Sequence, residues 1–472
     1  MRTESYIAGV WQPASDGRRI PVIDPASGEQ FTDVADGTVE DGLAAVTAAD
    51  RAFPAWAATA PRERGEILRR AYELMTARSR ELAELIVREN GKALPDALAE
   101  VTYAAEFFRW YSEEAVRAEG SLQTAPSGAN KILVLRQPIG VALLVTPWNF
   151  PAAMATRKIG PALAAGCTLV LKPASETPLT ALALAALLEE AGVPAGVVNV
   201  LPASRSASVV GVMLADPRVR KLSFTGSTEV GRVLLRQAAD GVVNCSMELG
   251  GNAPFLVLAD ADLDAAVAGA MVAKMRNGGE ACTSANRFYA HAAIADEFTE
   301  RLAAAMGELV VGPGLDPGVQ VGPLVNAATR DKVASLVDSA GAKVIVGGSA
   351  PRRPGFFYEP TVLGRVPPDA AILRTEIFGP VAPVVAFDDL DEAIRLANDT
   401  EYGLVSYVYT GDLATGLRVA EALESGMVGL NRGVVSDPAA PFGGVKQSGI
   451  GREGGHDGLL EFTESKYVAV SW

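Results

Sequence analysis

Nucleophilic chemistry in this chain falls to cysteine. Neither GxSxG nor HExxH occurs, the three cysteines Cys167, Cys245 and Cys282 contain no CxxC pair, and the histidines are His291 and His456. That inventory argues against a disulfide framework, a thiolate zinc site or a histidine-rich metal centre, so no metal is assigned. Cys282 lies in RNGGEACTSANR (276–287), a connection between a helix and a strand in which Gly278 and Gly279 allow close backbone approach. Substrate can reach a thiol placed there. Cys167 and Cys245 occupy strand-like apolar settings and read as core. A catalytic Cys282 would draw on a local field that favours its thiolate.

Two further motifs carry groups that could serve such a nucleophile. MELGGN (247–252) sets Glu248 at a strand end before a double glycine, where a carboxylate is either an ion-pairing group or a general base aimed into a cleft. PWNFP (147–151) sets Asn149 just after a strand, between prolines that fix the loop. Its amide can donate to a developing oxyanion or simply satisfy loop backbone. FTGSTEVG (224–231) is a glycine-containing turn between a strand and a helix, without the Walker ending, and no GxGxxG follows a strand. DADLD (260–264) imitates a calcium loop but has Ala265 and Met271 where Gly and Glu are needed, so it reads as a helix start. His456, after a glycine-rich turn, reads as structural.

The elements that position these groups follow from periodicity. Helices are expected over 39–59 and 62–90. From residue 140, strands at 141–145, 168–172, 197–200 and 221–224 alternate with helices near 152–165, 178–191, 205–215 and 228–239. A second series has strands at 255–258, 288–292, 344–347, 383–387 and 405–410, with helices near 262–275, 294–306, 328–340 and 413–424. This pattern predicts an α/β chain with two open α/β domains built on parallel sheets. The stretch 121–138 fits neither series and is either a hairpin paired in an oligomer or a surface loop. The length of 472 residues suits two or three domains. Lys plus Arg number 42 against 56 Asp plus Glu, a net charge of −14, which disfavours nucleic acid and anionic membranes as partners. No signal peptide or apolar run of transmembrane length is seen, so a cytoplasmic location is expected and the sequons at Asn244 and Asn398 carry no weight.

PWNFP, LKPASETP, FTGSTEVG, MELGGN, NGGEACTSANR, EIFGPV and PFGGVKQSGIGRE occur in an order and at spacings that resemble the aldehyde dehydrogenase superfamily, over nearly the whole chain. The resemblance implies that Cys282 is the nucleophile, that Asn149 and the Cys282 N–H form an oxyanion hole, and that Glu248 activates water. It implies cofactor contacts at Lys172 and Ser175 (adenosine ribose), Ser227 (pyrophosphate), Glu376 (nicotinamide ribose), Phe378 and Trp148. Relatives preferring NAD often carry Glu at the position of Ser175, so NADP is expected, with NAD possible and Glu176 a complication. Glu280 replaces the commoner Gln and is expected to point away from the thiol, which it would otherwise hold protonated. The domains implied are 1–120 with 139–246 for the dinucleotide, 247–440 for catalysis, and 121–138 with 455–472 as a small β oligomerisation element, giving a homodimer or homotetramer.

Arg157, two turns into the helix after Asn149, and Arg276, six residues before Cys282, would form a cationic clamp for a remote carboxylate if both face the substrate, with Ser436 adding a hydroxyl. This trio, with RKIGPALAAGCT and PFGGVKQSGIGRE, matches the succinate-semialdehyde dehydrogenase branch. The expected substrate is succinate semialdehyde; the alternative is a broader enzyme acting on glutarate semialdehyde or on aromatic and aliphatic aldehydes. A cysteine hydrolase or acyltransferase and an inactive homologue are the rival classes, and Lys172, Ser227 and Glu376 argue against both because neither needs a dinucleotide site.

Overall fold

Two parallel sheets organise the chain, and the computed structural model describes residues 1–471 of it. Trp472, the last residue of the expected oligomerisation element, lies outside the described residues. In the first sheet the order is Val10–Gln12, Ser5–Ile7, Val198–Val200, Thr168–Lys172, Val141–Val145, Val219–Thr225, Asn244–Glu248 and Gly449–Ile450. The five central strands run parallel, and antiparallel partners close both edges. The strands VALLV and TLVLK are buried along their full length because helices cover both faces. Successive residues feed opposite cores: Ala142 and Leu144 pack on one side, Val141, Leu143 and Val145 on the other.

From Val141–Val145 the chain winds outward in one direction, through Thr168–Lys172 to Val198–Val200, and then returns to the other side through Val219–Thr225. The carboxyl ends of Val141–Val145 and Val219–Thr225 therefore flank the point where winding reverses, where open α/β sheets leave a crevice. The helix Pro151–Ala165 starts with Pro at its first position, a fit for a group that lacks an N–H. The helix Thr228–Asp240 is capped by Ser227, whose side chain accepts from Val230 N–H at 3.4 Å.

The second sheet runs Lys343–Val346, Thr361–Gly364, Val381–Phe387, Ala285–His291, Ala253–Val257, Val405–Tyr409 and Met427–Leu430, parallel except for its first strand. DADLD opens the helix Leu263–Met275, with Asp262 accepting from the N–H groups of Asp264 and Ala265. The stretch 121–138 is a hairpin of Ser121–Thr124 and Lys131–Pro138, and Thr463–Val470 pairs antiparallel with its second strand. Among the described residues no helix is long and apolar enough to cross a membrane.

Sequence periodicity departs from the structure in several places. The helix expected over 62–90 is two helices, Pro61–Ala77 and Ser79–Asn90, broken at Arg78, which leaves helical geometry with ψ of 19°. The helices Leu94–Glu114 and Leu390–Asn398 and the strands before residue 36 have no counterpart in the periodic reading. Cys167 is buried as expected, but Cys245 is half-buried where its strand begins.

Candidate active site

The loops leaving the first sheet meet the loops entering the second. Pro147, Trp148 and Asn149 follow Val141–Val145, and Gly226 and Ser227 follow Val219–Thr225; with Cys282, Glu376 and Phe378 they line a cleft of about 240 Å³. The connection from Glu248 to Ala253 crosses between the sheets, and its double glycine is a matter of space. A Cβ on Gly251 would stand 2.5 Å from the Cys282 carbonyl oxygen, so no other residue lets the two segments approach. The Gly251 N–H donates to Glu376 Oε1 at 3.1 Å.

Asn149 is held from three sides. Its carbonyl accepts from Lys92 Nζ at 2.8 Å and from Asn277 Nδ2 at 2.9 Å. Its own Nδ2 donates to the Glu280 carbonyl at 3.1 Å, which leaves a second amide hydrogen for another acceptor. Asn277 Nδ2 also donates to the Glu280 carbonyl at 2.9 Å, so one amide links the Asn149 loop to the Cys282 loop. Asn277 does this from a left-handed backbone, φ +55°. Lys92 is paired in turn with buried Glu100, whose other oxygen accepts the N–H of Ala152 at 2.8 Å at the start of the helix Pro151–Ala165.

Cys282 is partly exposed in the cleft. Burial of the charge pushes its thiol up to about 12; Arg157 and Arg276 oppose this, while Glu248 and Glu376 add to it. The two guanidiniums favour the thiolate, as the sequence suggests, but desolvation outweighs them in the free chain. Glu248 is buried, and neither carboxyl oxygen has a hydrogen-bond partner among the described residues. Desolvation, with the nearby Glu453 carboxylate, raises it well above the usual range. A Cβ on Gly443 would lie 2.8 Å from Glu248 Oε1, so that glycine makes room for the carboxyl. Glu280 is buried with Oε1 accepting from Val325 N–H at 3.1 Å, and burial raises it to about 8.

Arg157 and Arg276 come to the same region by different routes. Arg157 is buried, ion-paired to Glu453 and stacked 4.2 Å from the Phe442 ring centroid. Glu453 is shared with Lys158, so two cations rest on one carboxylate. Arg276 lies 4.9 Å from the Phe150 ring centroid and donates from Nη1 to Ser436 Oγ at 3.2 Å.

Around the cofactor-type residues, Glu376 is raised to about 7 by burial. Trp148 and Phe378 meet edge-on at 5.3 Å, with Phe378 in a left-handed conformation at φ +54°. Lys172 is buried at the end of its strand; its ammonium makes no hydrogen bond among the described residues and is lowered to about 8 by desolvation against the pull of Glu176 and Asp36. Ser175, beyond it, donates to the Ala203 carbonyl at 3.3 Å. An apolar groove of about 390 Å³ runs along the helix Thr228–Asp240, lined by Val210, Phe224, Val230, Val233 and Leu234. A planar aromatic ring fits such a groove, and an anion fits the helix start at Ser227, so the residues present suit a dinucleotide.

Sequence reasoning missed this groove, together with Tyr103, Thr329 and Lys332. Thr329 and Lys332 line the cleft from one helix face, and Lys332 Nζ donates to the Glu376 carbonyl at 2.8 Å. Their i, i+3 spacing was a visible signal, but nothing local to it distinguishes a cleft wall from a surface turn. His456 Nδ1 stands 2.7 Å from Glu114 Oε2, away from the cleft.

Comparison with known proteins bears on these residues together. The pattern of the aldehyde dehydrogenase family matches residues 11–468. A succinate-semialdehyde dehydrogenase of Paenarthrobacter nicotinovorans is 56% identical over 441 residues, covering 93% of this chain and 98% of that protein. A glutarate-semialdehyde dehydrogenase of Pseudomonas aeruginosa is 48% identical over 472 residues, 99% of this chain and 98% of that protein. The crystal structure of an E. coli NADP-dependent enzyme superposes with a TM-score of 0.98 at 48% identity, covering 100% of this chain and 98% of that one. The protein is an oxidoreductase, and its chain belongs to the aldehyde dehydrogenase family.

Proposed function

We propose that the protein oxidises succinate semialdehyde to succinate, with NADP preferred and NAD accepted. One juxtaposition carries the reading: Cys282 shares its cleft with Ser227 and Glu376, while Arg157 and Arg276 are near enough to act on its thiol. A substrate with an aldehyde at one end and a carboxylate at the other suits that polarity.

In this reading the Cys282 thiol passes its proton to water in the cleft as sulfur attacks the aldehyde carbon, and the carbonyl oxygen becomes an alkoxide. The second Nδ2 hydrogen of Asn149 and the Cys282 N–H hold that oxygen. A bound nicotinamide would supply a hydride acceptor, and oxidation of the adduct carbon would leave a thioester on Cys282. Glu248 then takes a proton from water as the water attacks; the carbon–sulfur bond breaks, the acid departs and the thiol is restored. Burial raises the Glu248 carboxyl, so the base is its ionised fraction, which binds a proton more strongly than a solvated carboxylate does. Ser227 at its helix start would hold pyrophosphate, Glu376 would accept from the ribose, and Trp148 and Phe378 would wall the ring. Lys172 and Ser175 favour a 2′-phosphate, because the Lys172 ammonium makes no hydrogen bond among the described residues and only the more distant Glu176 and Asp36 act on it. The three cysteines are free, as in the reducing cytoplasm where we place the enzyme. The sheet of Ser121–Thr124, Lys131–Pro138 and Thr463–Val470 exposes Leu122, Leu135 and Tyr467, a surface for assembly as a homodimer or homotetramer.

The test is a panel of succinate semialdehyde, glutarate semialdehyde and hexanal with each cofactor, following reduced nicotinamide by absorbance. Succinate semialdehyde with NADP should give the highest kcat/KM, and Arg276→Ala should raise KM for it far more than for hexanal. Equal losses on both aldehydes would refute the clamp, and a strong NAD preference would sink the cofactor assignment. Glutarate semialdehyde as the better substrate is the second reading, favoured by the similarity to the P. aeruginosa enzyme.

A further inference from the structure

Tyr103 is a buried donor that the proposed reaction leaves unused. It sits on the helix Leu94–Glu114 with its ring edge-on to Phe107, centroids 4.9 Å apart at 68°, and with the Arg276 guanidinium 5.6 Å from its centroid. Packed between these, the ring has little freedom. Its hydroxyl is closed off from solvent and makes no hydrogen bond among the described residues. Such an orphan is costly, and in a native fold it calls for a partner.

Its neighbours indicate what that partner is. Arg157 and Ser436 lie beside the hydroxyl, close enough for both to stabilise its negative form. Yet burial dominates and raises the phenol, so Tyr103 stays neutral and can donate. Ser436 Oγ accepts from Arg276 Nη1 at 3.2 Å, which leaves the serine hydrogen free to point elsewhere. Two guanidiniums and two hydroxyls thus converge from separate elements. The carboxylate paired with Arg157 is Glu453, already shared with Lys158. An anion with several acceptor lone pairs suits this set, and a carboxylate qualifies.

We propose that Tyr103 is a substrate-binding residue, donating its hydroxyl to the terminal carboxylate of the semialdehyde held by Arg157, Arg276 and Ser436. This rests on the carboxylate-bearing substrate proposed above. It also gives the helix Leu94–Glu114, which holds none of the reacting groups, a direct part in selecting substrate.

Tyr103→Phe removes one oxygen and keeps the ring. In that variant KM for succinate semialdehyde should rise about ten-fold or more, as expected for one lost hydrogen bond to a charged group. Its kcat should change little, and KM for hexanal should stay at the wild-type value. Succinate, used as a competitive inhibitor against hexanal, should weaken by the same factor. If the wild type favours the semialdehyde over hexanal and Tyr103→Phe keeps that preference undiminished, the assignment of Tyr103 is overturned while the carboxylate reading stands. If the wild type itself shows no preference and succinate does not inhibit, both fall. Should the phenylalanine variant fail to fold, Tyr103→Met provides the same comparison, with hexanal turnover reporting that the catalytic groups are intact.

Discussion

At the Cys282 thiol, two guanidiniums pull against two carboxyl groups, and desolvation decides the balance in favour of the proton. Since the thiolate is the reacting species, alkylation of the free enzyme by iodoacetamide should accelerate steadily with pH across the neutral range. Because the thiol lies near 12, no plateau should appear by about pH 9. A plateau near neutrality would mean that the arginine field outweighs burial. Asn277 offers a second test. Its amide ties the Asn149 carbonyl to the Glu280 carbonyl, and small displacements of positioned groups cost about 100-fold in rate. Asn277→Ala should therefore lower kcat by a factor of about 10 to 100 with KM little altered; an effect confined to KM would deny it a positioning role.

Among the helices, Pro151–Ala165 and Pro178–Ala191 are anchored at their starts by buried acids from other elements. Glu89 accepts from Leu179 N–H at 2.7 Å and Thr180 N–H at 2.9 Å, at the first turn of the helix Pro178–Ala191. Burial raises it to about 8. The unfolded chain releases that proton near the ordinary value of 4.5, so this group's contribution to stability declines as pH rises from about 4.5 through about 8. Glu89→Gln lacks this term, and its Tm relative to wild type should improve between about pH 5 and about pH 9. A difference that does not vary with pH would show Glu89 to be ionised throughout. Glu100, which anchors Ala152, belongs to a buried ion pair, and Glu100→Ala should cost about 3–5 kcal/mol by stranding Lys92. Neither anchor could be read from sequence, because each joins residues tens of positions apart. Strands such as VALLV and TLVLK were legible, since a short continuous apolar run between helices is what a strand covered on both faces requires. The helix Leu94–Glu114 was not, although it supplies Tyr103. It buries Ala97, Glu100, Val101, Ala104, Phe107, Phe108 and Tyr111, a broad face with little contrast to mark its period. The groups in Cys282's own segment were visible because each stands in a short motif. Tyr103, Lys92 and Lys332 were not, because three-dimensional convergence alone gives them meaning.

On the scale of the whole molecule, a net charge of −14 surrounds an interior cluster in which Arg157 and Lys158 share one carboxylate and Arg276 stands close by. An anionic aldehyde must approach through an unfavourable outer field before it meets the buried cations. Salt screens the outer charges far more than the inner ones. Moderate salt should therefore raise kcat/KM for succinate semialdehyde and leave that for hexanal flat; a decrease would mean that the cations govern approach as well as binding. The protonated Cys282 bears on the molecule's durability. Peroxides attack thiolates, so the protonated resting thiol is slow to oxidise, and during turnover the same sulfur is masked in a covalent adduct. Such a catalyst keeps its nucleophile through long idle periods as well as through work.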